Sequence, residues 1–279
     1  MVLSPIEQGI KRKIEAVGTP LREWDIQINY GIKTGYNDAF IISTARREEI
    51  LSRCLTEDER RRTEELIRPI LRGRDIKRYG YEWAGLWVIN AHNGIKGKIP
   101  RVDIDEYPAV KAHLDQYWDK ISKRTDKGDT PYNLRNCAYM GDFLKPKIVF
   151  AELARTGGAF ALDKHNYIVS NTGYILTAAS RDEDTILYLL AFLNSRVMLY
   201  CLNQISARFD ESGWRWLRQF VEQLRVPMHV DKRSIVSVVK NVNRENQGQA
   251  REAINALVAR AYNLTSQEEF YINQQFSKH

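Results

Sequence analysis

Short apolar segments follow one another along the first two thirds of the chain, some with the period of a β-strand and others with the period of an α-helix. Ile26–Tyr30 alternates apolar and polar residues, which predicts a half-buried strand, and residues 39–42 are predicted to pair with it across a turn. Residues 57–67 have helical spacing, with a capping box between Thr56 and Glu59. Further strands are predicted at 87–90, 147–153, 159–162, 167–170 and 174–177, and further helices at 44–54, 108–122, 183–194 and 196–205.

This mixture predicts an α+β fold with a mixed or antiparallel sheet body and flanking helices, followed by a helical C-terminal element. Residues 213–227 are rich in Trp, Arg and Leu, and residues 232–243 and 249–262 have helical apolar spacing. A second capping box, Thr265 with Glu268, begins a last helix. We predict three parts: a basic helical lead-in at 1–19, a body at 20–205, and a C-terminal strand and helices at 206–279 that pack on the body.

Composition indicates an ordered globular protein, with 43% apolar and 28% charged residues among 279. The net charge of +7 favours nucleic acid or another polyanion as partner. Three widely separated cysteines, no signal-peptide pattern at the N-terminus and no apolar run of membrane-spanning length predict a cytoplasmic location and no membrane contact.

Motifs of catalytic centres are missing from the sequence. The histidines are isolated, and neither a His-Glu-x-x-His nor a Gly-x-Ser-x-Gly pattern occurs. The segment from Gly94 to Lys98 lacks the full glycine pattern of a phosphate loop and its Ser or Thr, which favours a basic loop. Asp75-Ile76-Lys77 matches half of a nuclease metal motif, but no Pro-Asp dipeptide supplies the other ligand. We therefore expect neither a catalytic nor a metal site.

The stretch from residue 31 to 40 combines glycine, polar donors and positive charge. Gly35 can take a positive φ, and Asn37 beside Tyr36 tolerates such bends. A loop of this kind can offer backbone N–H groups, together with the Lys33 and Thr34 side chains, to a phosphate. It can equally be a hairpin turn whose glycines serve only its geometry, and the spacing leaves both alternatives open.

A second stretch, residues 70–79, crowds four cations around Gly73: Arg72, Arg74, Lys77 and Arg78. Arginine has the planar donor fork that suits phosphates and guanine edges. Asp75 lies among these cations and can pair with Arg74 or cap a following turn, so one of the arginines is expected to be structural. Arg72 and Arg78 are then the better candidates for contacts.

Other basic and polar segments are candidates for the same surface. Lys96 and Lys98 lie in the basic loop, and Arg135 and Asn136 lie among tyrosines, a mixture that suits base edges and stacking. A charge run of this kind can also be an ordinary solvated surface. We expect Trp214 and Trp216 to pack at a core edge rather than stack on bases.

Taken in order, these stretches resemble the TaqI-like specificity domain, which follows the methyltransferase domain in type IIG and type IIS restriction–modification enzymes. The resemblance rests on residues 31–40, 70–79, 145–150, 171–172, 189–195, 224–227 and 254–270, and so covers nearly the whole chain. It implies sequence-specific recognition of duplex DNA through the major groove, directing adenine methylation, cleavage or both.

The resemblance also implies that this chemistry is carried out elsewhere. The chain contains no Asn-Pro dipeptide, and therefore no Asn-Pro-Pro-aromatic motif, and no glycine-rich S-adenosylmethionine loop. We expect no cofactor in this chain, with S-adenosylmethionine and Mg²⁺ confined to absent catalytic domains. The expected partners are duplex DNA and a methyltransferase or nuclease domain, which the lead-in at 1–19 would join if it belongs to the same polypeptide.

Within this hypothesis the candidate residues divide into two groups. Phosphate contacts are predicted for Lys33, Thr34, Arg72, Arg78, Lys145 and Lys147. Base-edge contacts are predicted for Asn37, Arg74, Arg135 and Asn136, with the loops at 90–101 and 122–135 as further candidates. Two alternatives are a protein–protein docking module, which predicts an exposed apolar face on residues 232–262, and a self-contained nuclease.

Overall fold

The computed structural model describes residues 3–155, 157–179, 182–206, 208–210, 213–228 and 232–276. The helices are α1 Pro5–Val17, α2 Asn37–Phe40, α3 Thr44–Ser52, α4 Glu57–Leu66, α5 Pro108–Asp115, α6 Trp118–Ile121, α7 Glu183–Leu193, α8 Arg196–Ile205, α9 Arg218–Val221, α10 Arg233–Lys240, α11 Gln247–Ala261 and α12 Ser266–Gln275. The strands are β1 Gly18–Pro20, β2 Ile26–Tyr30, β3 Ile41–Ser43, β4 Ile67–Leu71, β5 Ile76–Lys77, β6 Gly80–Tyr81, β7 Leu86–Ile89, β8 Lys147–Ala151, β9 Leu153–Ala154, β10 Phe160–Asp163, β11 Ile168–Val169, β12 Gly173–Ala178, β13 Arg208–Asp210, β14 Gly213–Arg215 and β15 Arg225–Pro227.

Two four-stranded sheets form the centre of the fold. The first sheet has the order β10-β8-β12-β2, and all its neighbours are antiparallel. The second sheet has the order β11-β4-β7-β3, in which β11 runs parallel to β4 and the other pairs are antiparallel. A bridge between Ile32 and Ser170 joins the two sheets at one corner.

The alternation of side chains along the strands sorts the core into layers. Phe150 of β8 packs with α7, α8 and the C-terminal helices, whereas its neighbour Val149 packs between the two sheets. In the second sheet, Val88 of β7 faces the same space between the sheets, and Ile89 packs with α3 and α5. The order of layers is therefore helices, first sheet, second sheet, helices, and the predicted α+β class is confirmed.

The C-terminal helices complete the largest core. Ile235 of α10 and Val258 of α11 are buried with residues of α7, and Trp214 and Trp216 are 1% and 0% exposed, as the core-packing prediction for both tryptophans required. The apolar face of residues 232–262 is thus covered by the chain itself, which removes the feature expected of a docking module. The division at residues 19 and 205 stays a prediction.

The N-terminal helix joins the same body. Its Ile10 is fully buried in the largest core, β1 pairs with β15, and Lys13 forms an ion pair of 2.6 Å with Glu268 of α12. Two segments from opposite ends of the chain therefore hold each other against the first sheet. Both predicted helix starts at Thr56 and Thr265 are present, each with its hydroxyl accepting the N–H three residues later.

The predicted pairing of 39–42 with β2 is wrong. β2 pairs with β12 of the first sheet, residues 37–40 form α2, and β3 belongs to the second sheet. The chain passes from one sheet to the other at Gly31, where a Cβ atom would lie 1.9 Å from the Ser170 carbonyl oxygen. Only glycine permits this approach, so Gly31 turns a sequence that resembles a hairpin into a crossover.

No single helix in the described ranges is long and apolar enough to cross a membrane. The pair α7 and α8 passes the same test of length and composition when taken together, with a bend of 67° between them. Both helices are buried in the largest core, which accounts for their apolar composition.

Candidate nucleic-acid interface

A cleft of about 600 Å³ opens beside the corner where the two sheets meet. Its walls come from the end of β2, the α4–β4 junction, the segment after β7 and the segment before β8. An adjacent depression of about 860 Å³, formed by the loop 93–101 and residues 129 and 136–138, shares Ile99, Asn136 and Cys137 with it. The cleft and the depression therefore form one continuous concave surface.

The concave surface carries an excess of positive charge. Cations of the cleft are Lys33, Arg68 and Arg135, and those of the depression are Lys96, Lys98 and Arg101. Among the described lining residues the carboxylates are Glu65 and Asp129. Amide donors and acceptors lie between the charges: Asn90, Asn93, Asn136 and Asn171. Such a set can bind phosphate oxygens and the edges of bases.

Asp126 organises two of the predicted DNA-contact residues. Its carboxylate pairs with the Lys33 ammonium at 2.7 Å and with the Arg135 guanidinium at 3.2 Å. The hydrogen bond from Lys33 lowers the pKa of Asp126, and the charge of Arg135 adds to the effect. Both cations are about half exposed, so each can still reach an anion at the mouth of the cleft.

Arg124 fixes the two loops that carry these charges. Its side chain is buried over the Phe40 ring, at 4.4 Å from the ring centroid. Its guanidinium donates to four backbone carbonyls, those of Thr34, Asp126, Pro131 and Asn133. Burial lowers the pKa of Arg124 to about 10. The turn at 33–35 and the loop at 124–136 are thereby held together, whereas sequence analysis had named the loop 122–135 only as a candidate for base contacts.

In the stretch 31–40, only Lys33 among the predicted contact residues lines the cleft. Thr34 is 2% exposed and its hydroxyl donates to the Asn37 side chain at 2.6 Å, so the predicted phosphate contact of Thr34 is corrected to an internal one. Gly35 has φ +72°, and a Cβ there would lie 2.7 Å from the Asp126 carbonyl oxygen. Tyr36 packs on Tyr117. For these residues the structure favours the geometric role of the turn.

The loop at 93–101 forms the outer wall of the depression. A bridge between Ile95 and Ile99 closes it, and Lys96 and Lys98 lie exposed at its tip. Asn93 anchors the loop, donating to Asn136 at 2.6 Å and to Asp129 at 3.0 Å. Asn136, a predicted base contact, is exposed and belongs to both the cleft and the depression.

The stretch 70–79 serves the fold more than the sequence suggested. Arg72 pairs with Asp75 through two hydrogen bonds of 2.8 and 3.0 Å, which raise its pKa. Of the two alternatives for Asp75, pairing with Arg74 is not the one found: Asp75 engages Arg72, so Arg72 is corrected from a phosphate contact to an internal ion pair. No group of three metal-ligating side chains occurs in the described residues, and Asp75 is already engaged by Arg72.

The other cations of that stretch do not line the cleft or the depression. Arg78 is half-buried; burial lowers its pKa to about 10, and the charge of Arg251 on α11 contributes. Its carbonyl accepts a hydrogen bond from Gln247, which places it at the junction with the C-terminal helices. Arg74 and Lys77 are exposed, and their predicted contacts stay predictions.

Lys147 is the predicted phosphate contact that the structure contradicts most clearly. Its side chain is 0% exposed, and its ammonium donates to Asp163 at 2.6 Å and to the Phe143 carbonyl at 2.7 Å. Burial lowers its pKa. A phosphate cannot reach this group, so Lys147 stabilises the fold instead. Lys145 is exposed and pairs with Asp142 at 2.7 Å, next to Leu144 on the cleft wall.

Arg68 and Asn171 line the cleft but were not among the predicted contacts, whereas Asn90, His92, Asn93 and Arg101 belong to the loop 90–101 that the sequence had suggested only as a whole. Arg68 had a visible signal, because it is the one charged residue in the apolar strand β4. Asn171 had been noted only as part of a family motif. Its neighbour Thr172 accepts the Gly73 N–H at 2.8 Å, which ties this motif to the stretch 70–79.

Comparison with known proteins places the fold in a family. A family model of the TaqI-like C-terminal specificity domain matches residues 68–226, more than half of the chain. The chain belongs to this family. It is therefore a specificity domain of the restriction–modification type, as the sequence resemblance indicated.

Two solved structures show the same fold. One is the type IIL restriction–modification enzyme MmeI in complex with DNA, with a TM-score of 0.62 and 15% identity over 94% of this chain and 37% of that one. The other is the type IIG restriction endonuclease BpuSI, with a TM-score of 0.53 and 12% identity over 95% of this chain and 34% of that one. The specificity domain described here spans little more than a third of either chain.

Proposed function

We propose that this specificity domain recognises a short duplex DNA target, and that other domains of a restriction–modification enzyme carry out adenine methylation, cleavage or both. The observation that carries the proposal is the continuous concave surface. Six cations line it, with four asparagine side chains between them. Membership of the family supports the same function.

The volume of the cleft limits how DNA can bind. A space of about 600 Å³ cannot enclose a duplex, so the DNA would lie across its mouth with one groove facing the asparagine side chains. Lys33, Lys96 and Lys98 are exposed around the mouth and suit phosphate contacts. Arg135 and Asn136 lie at the border between the cleft and the depression and suit base edges. Lys145, beside the wall, extends the phosphate-binding side.

The catalytic steps are assigned to other parts of the enzyme. S-adenosylmethionine and Mg²⁺ would be bound by a methyltransferase or nuclease domain, in the same polypeptide or in a partner subunit. MmeI, which shares this fold, was solved in complex with DNA, and this supports DNA as a partner of this domain.

Binding of a fluorescein-labelled duplex, followed by anisotropy at several salt concentrations, tests the proposal. We expect the logarithm of the association constant to fall linearly with the logarithm of salt, with a slope of about −0.9 for each phosphate neutralised. Lack of binding at low salt, or binding that does not change with salt, would exclude the proposed function.

A further inference from the structure

Arg68 occupies a rigid position in the cleft. It lies on β4 and pairs directly with β7, while β11 pairs with Ile70 and Leu71 of the same strand, so its backbone is held within the sheet. Its cross-strand partner is Val88, which packs in the space between the two sheets. Directly paired residues share a face, and Arg68 is half-buried and lines the cleft at the open end of that space.

Arg68 differs from the other arginines around the cleft in the partners of its guanidinium group. Arg135 pairs with Asp126, and Arg101 lies 3.7 Å from Asp129. Within the part of the chain that the structure describes, the Arg68 side chain forms neither a hydrogen bond nor an ion pair. Glu65, three residues earlier at the end of α4, lines the same cleft without pairing with it.

Arg68 lies near a second cation, the buried Lys147. The pKa of buried Lys147 is lowered mainly by its burial, and the positive charge of Arg68 lowers it further. The Lys147 charge is neutralised by Asp163, so what the Arg68 guanidinium still needs is an acceptor for its open donors. An electronegative group placed in the cleft would supply that acceptor.

We propose that Arg68 is a specificity-determining residue, whose planar donor fork contacts the O6 and N7 acceptors of a guanine in the DNA target. This rests on the proposed function. A base edge fits better than a phosphate, because the cations suited to phosphates lie on exposed loops whereas Arg68 is recessed on a central strand. Asn90 and Asn171 in the same cleft can contact the neighbouring edges.

The test is selection from a duplex library with a randomised central segment, using the wild-type chain, Arg68→Lys and Arg68→Met. Arg68→Lys keeps the charge but removes the fork. A matched control is Arg61→Lys on α4, whose side chain is 73% exposed and pairs with Asp58. Circular dichroism and thermal melting establish folding, and if Arg68→Met fails to fold, Arg68→Lys alone carries the test.

We expect the wild type and Arg61→Lys to enrich one common motif. Both Arg68 variants should lose preference at a single G·C pair, where discrimination falls about 5- to 150-fold, and keep the rest of the motif. An unchanged motif in the folded Arg68 variants, or an equal loss of affinity for every duplex, would overturn the role of Arg68 and leave the proposed function standing. A wild type that enriches no sequence would instead overturn the proposed function itself.

Discussion

Lys33 and Asp126 form an ion pair of 2.7 Å that joins the turn after β2 to the loop following α6. Arg135 shares the same carboxylate at 3.2 Å. A phosphate that binds either cation must therefore compete with Asp126. Exposed ion pairs stabilise proteins by only about 0–1 kcal/mol, so a duplex with several phosphates can displace this one.

Asp126→Asn should raise the affinity for duplexes of any sequence, because it frees Lys33 and Arg135 from their internal anion. The salt slope should become steeper for the same reason. Anisotropy with an arbitrary duplex measures both quantities. Asp58→Asn, which removes an exposed carboxylate paired with Arg61 and Arg62, serves as control and should leave both unchanged. Equal or weaker binding by Asp126→Asn would refute a competition between Asp126 and DNA.

Lys147→Met should lower the free energy of unfolding by about 3–5 kcal/mol, because it leaves the Asp163 carboxylate buried without its cation. Urea denaturation followed by circular dichroism measures the loss. Lys145→Met, two residues earlier, removes an exposed pair and should cost at most about 1 kcal/mol. If Lys147→Met kept full stability and only weakened DNA binding, the structural role assigned to Lys147 would be wrong.

His113 should make the fold less stable as the pH falls. It is 3% exposed, its Nε2 lies 2.9 Å from the Ala39 carbonyl oxygen, and burial lowers its pKa. The unfolded chain therefore takes up a proton at higher pH than the native chain, and stability is lost as the pH falls from the ordinary histidine value of 6.5 toward the lowered one.

The free energy of unfolding is measured for the wild type and for His113→Gln between about pH 7.5 and pH 5, a range that brackets the ordinary histidine pKa of about 6.5. The difference in the free energy of unfolding between the wild type and His113→Gln should shrink as the pH falls. A constant difference would show that protonation of His113 is not linked to folding. His92, whose pKa burial also lowers, contributes to both proteins alike.

Lys96→Ala combined with Lys98→Ala should reduce the salt slope by about 2 and weaken all duplexes alike, since each lysine is expected to neutralise one phosphate. Stability should stay unchanged, because both side chains are exposed at a loop tip. Lys164→Ala with Lys240→Ala is a matched pair of exposed lysines outside the concave surface. If the salt slope of this control fell as much as that of the Lys96 and Lys98 variant, the proposed location of the interface would be contradicted.

Local sequence patterns predicted the elements better than their partners. Apolar spacing located α4, α7 and β12 because the periods of helix and strand are local properties. It assigned β2 the wrong partner, since pairing depends on contacts with β12, which is distant in the sequence. The crossover at Gly31 depends on a contact with Ser170, which no local pattern contains.

Charge alone was a poor guide to the site. Lys147 begins a strand in which all five residues are buried, and the apolar run after it, from Ile148 to Ala151, was a visible sign of burial on both faces. Arg72 was predicted to contact a phosphate but pairs with Asp75, three residues later. A carboxylate at that spacing was also visible in the sequence. The cations that do line the cleft come from separate segments, so only the fold could bring Lys33, Arg68 and Arg135 together.

Lysine footprinting tests most directly whether the concave surface is where DNA binds. The chain is acetylated with and without a saturating duplex, and mass spectrometry follows the modification rate of each lysine. The proposed interface predicts protection of Lys33, Lys96 and Lys98, with unchanged rates at Lys164 and Lys240. Protection of Lys164 and Lys240 with Lys33, Lys96 and Lys98 left reactive would contradict it.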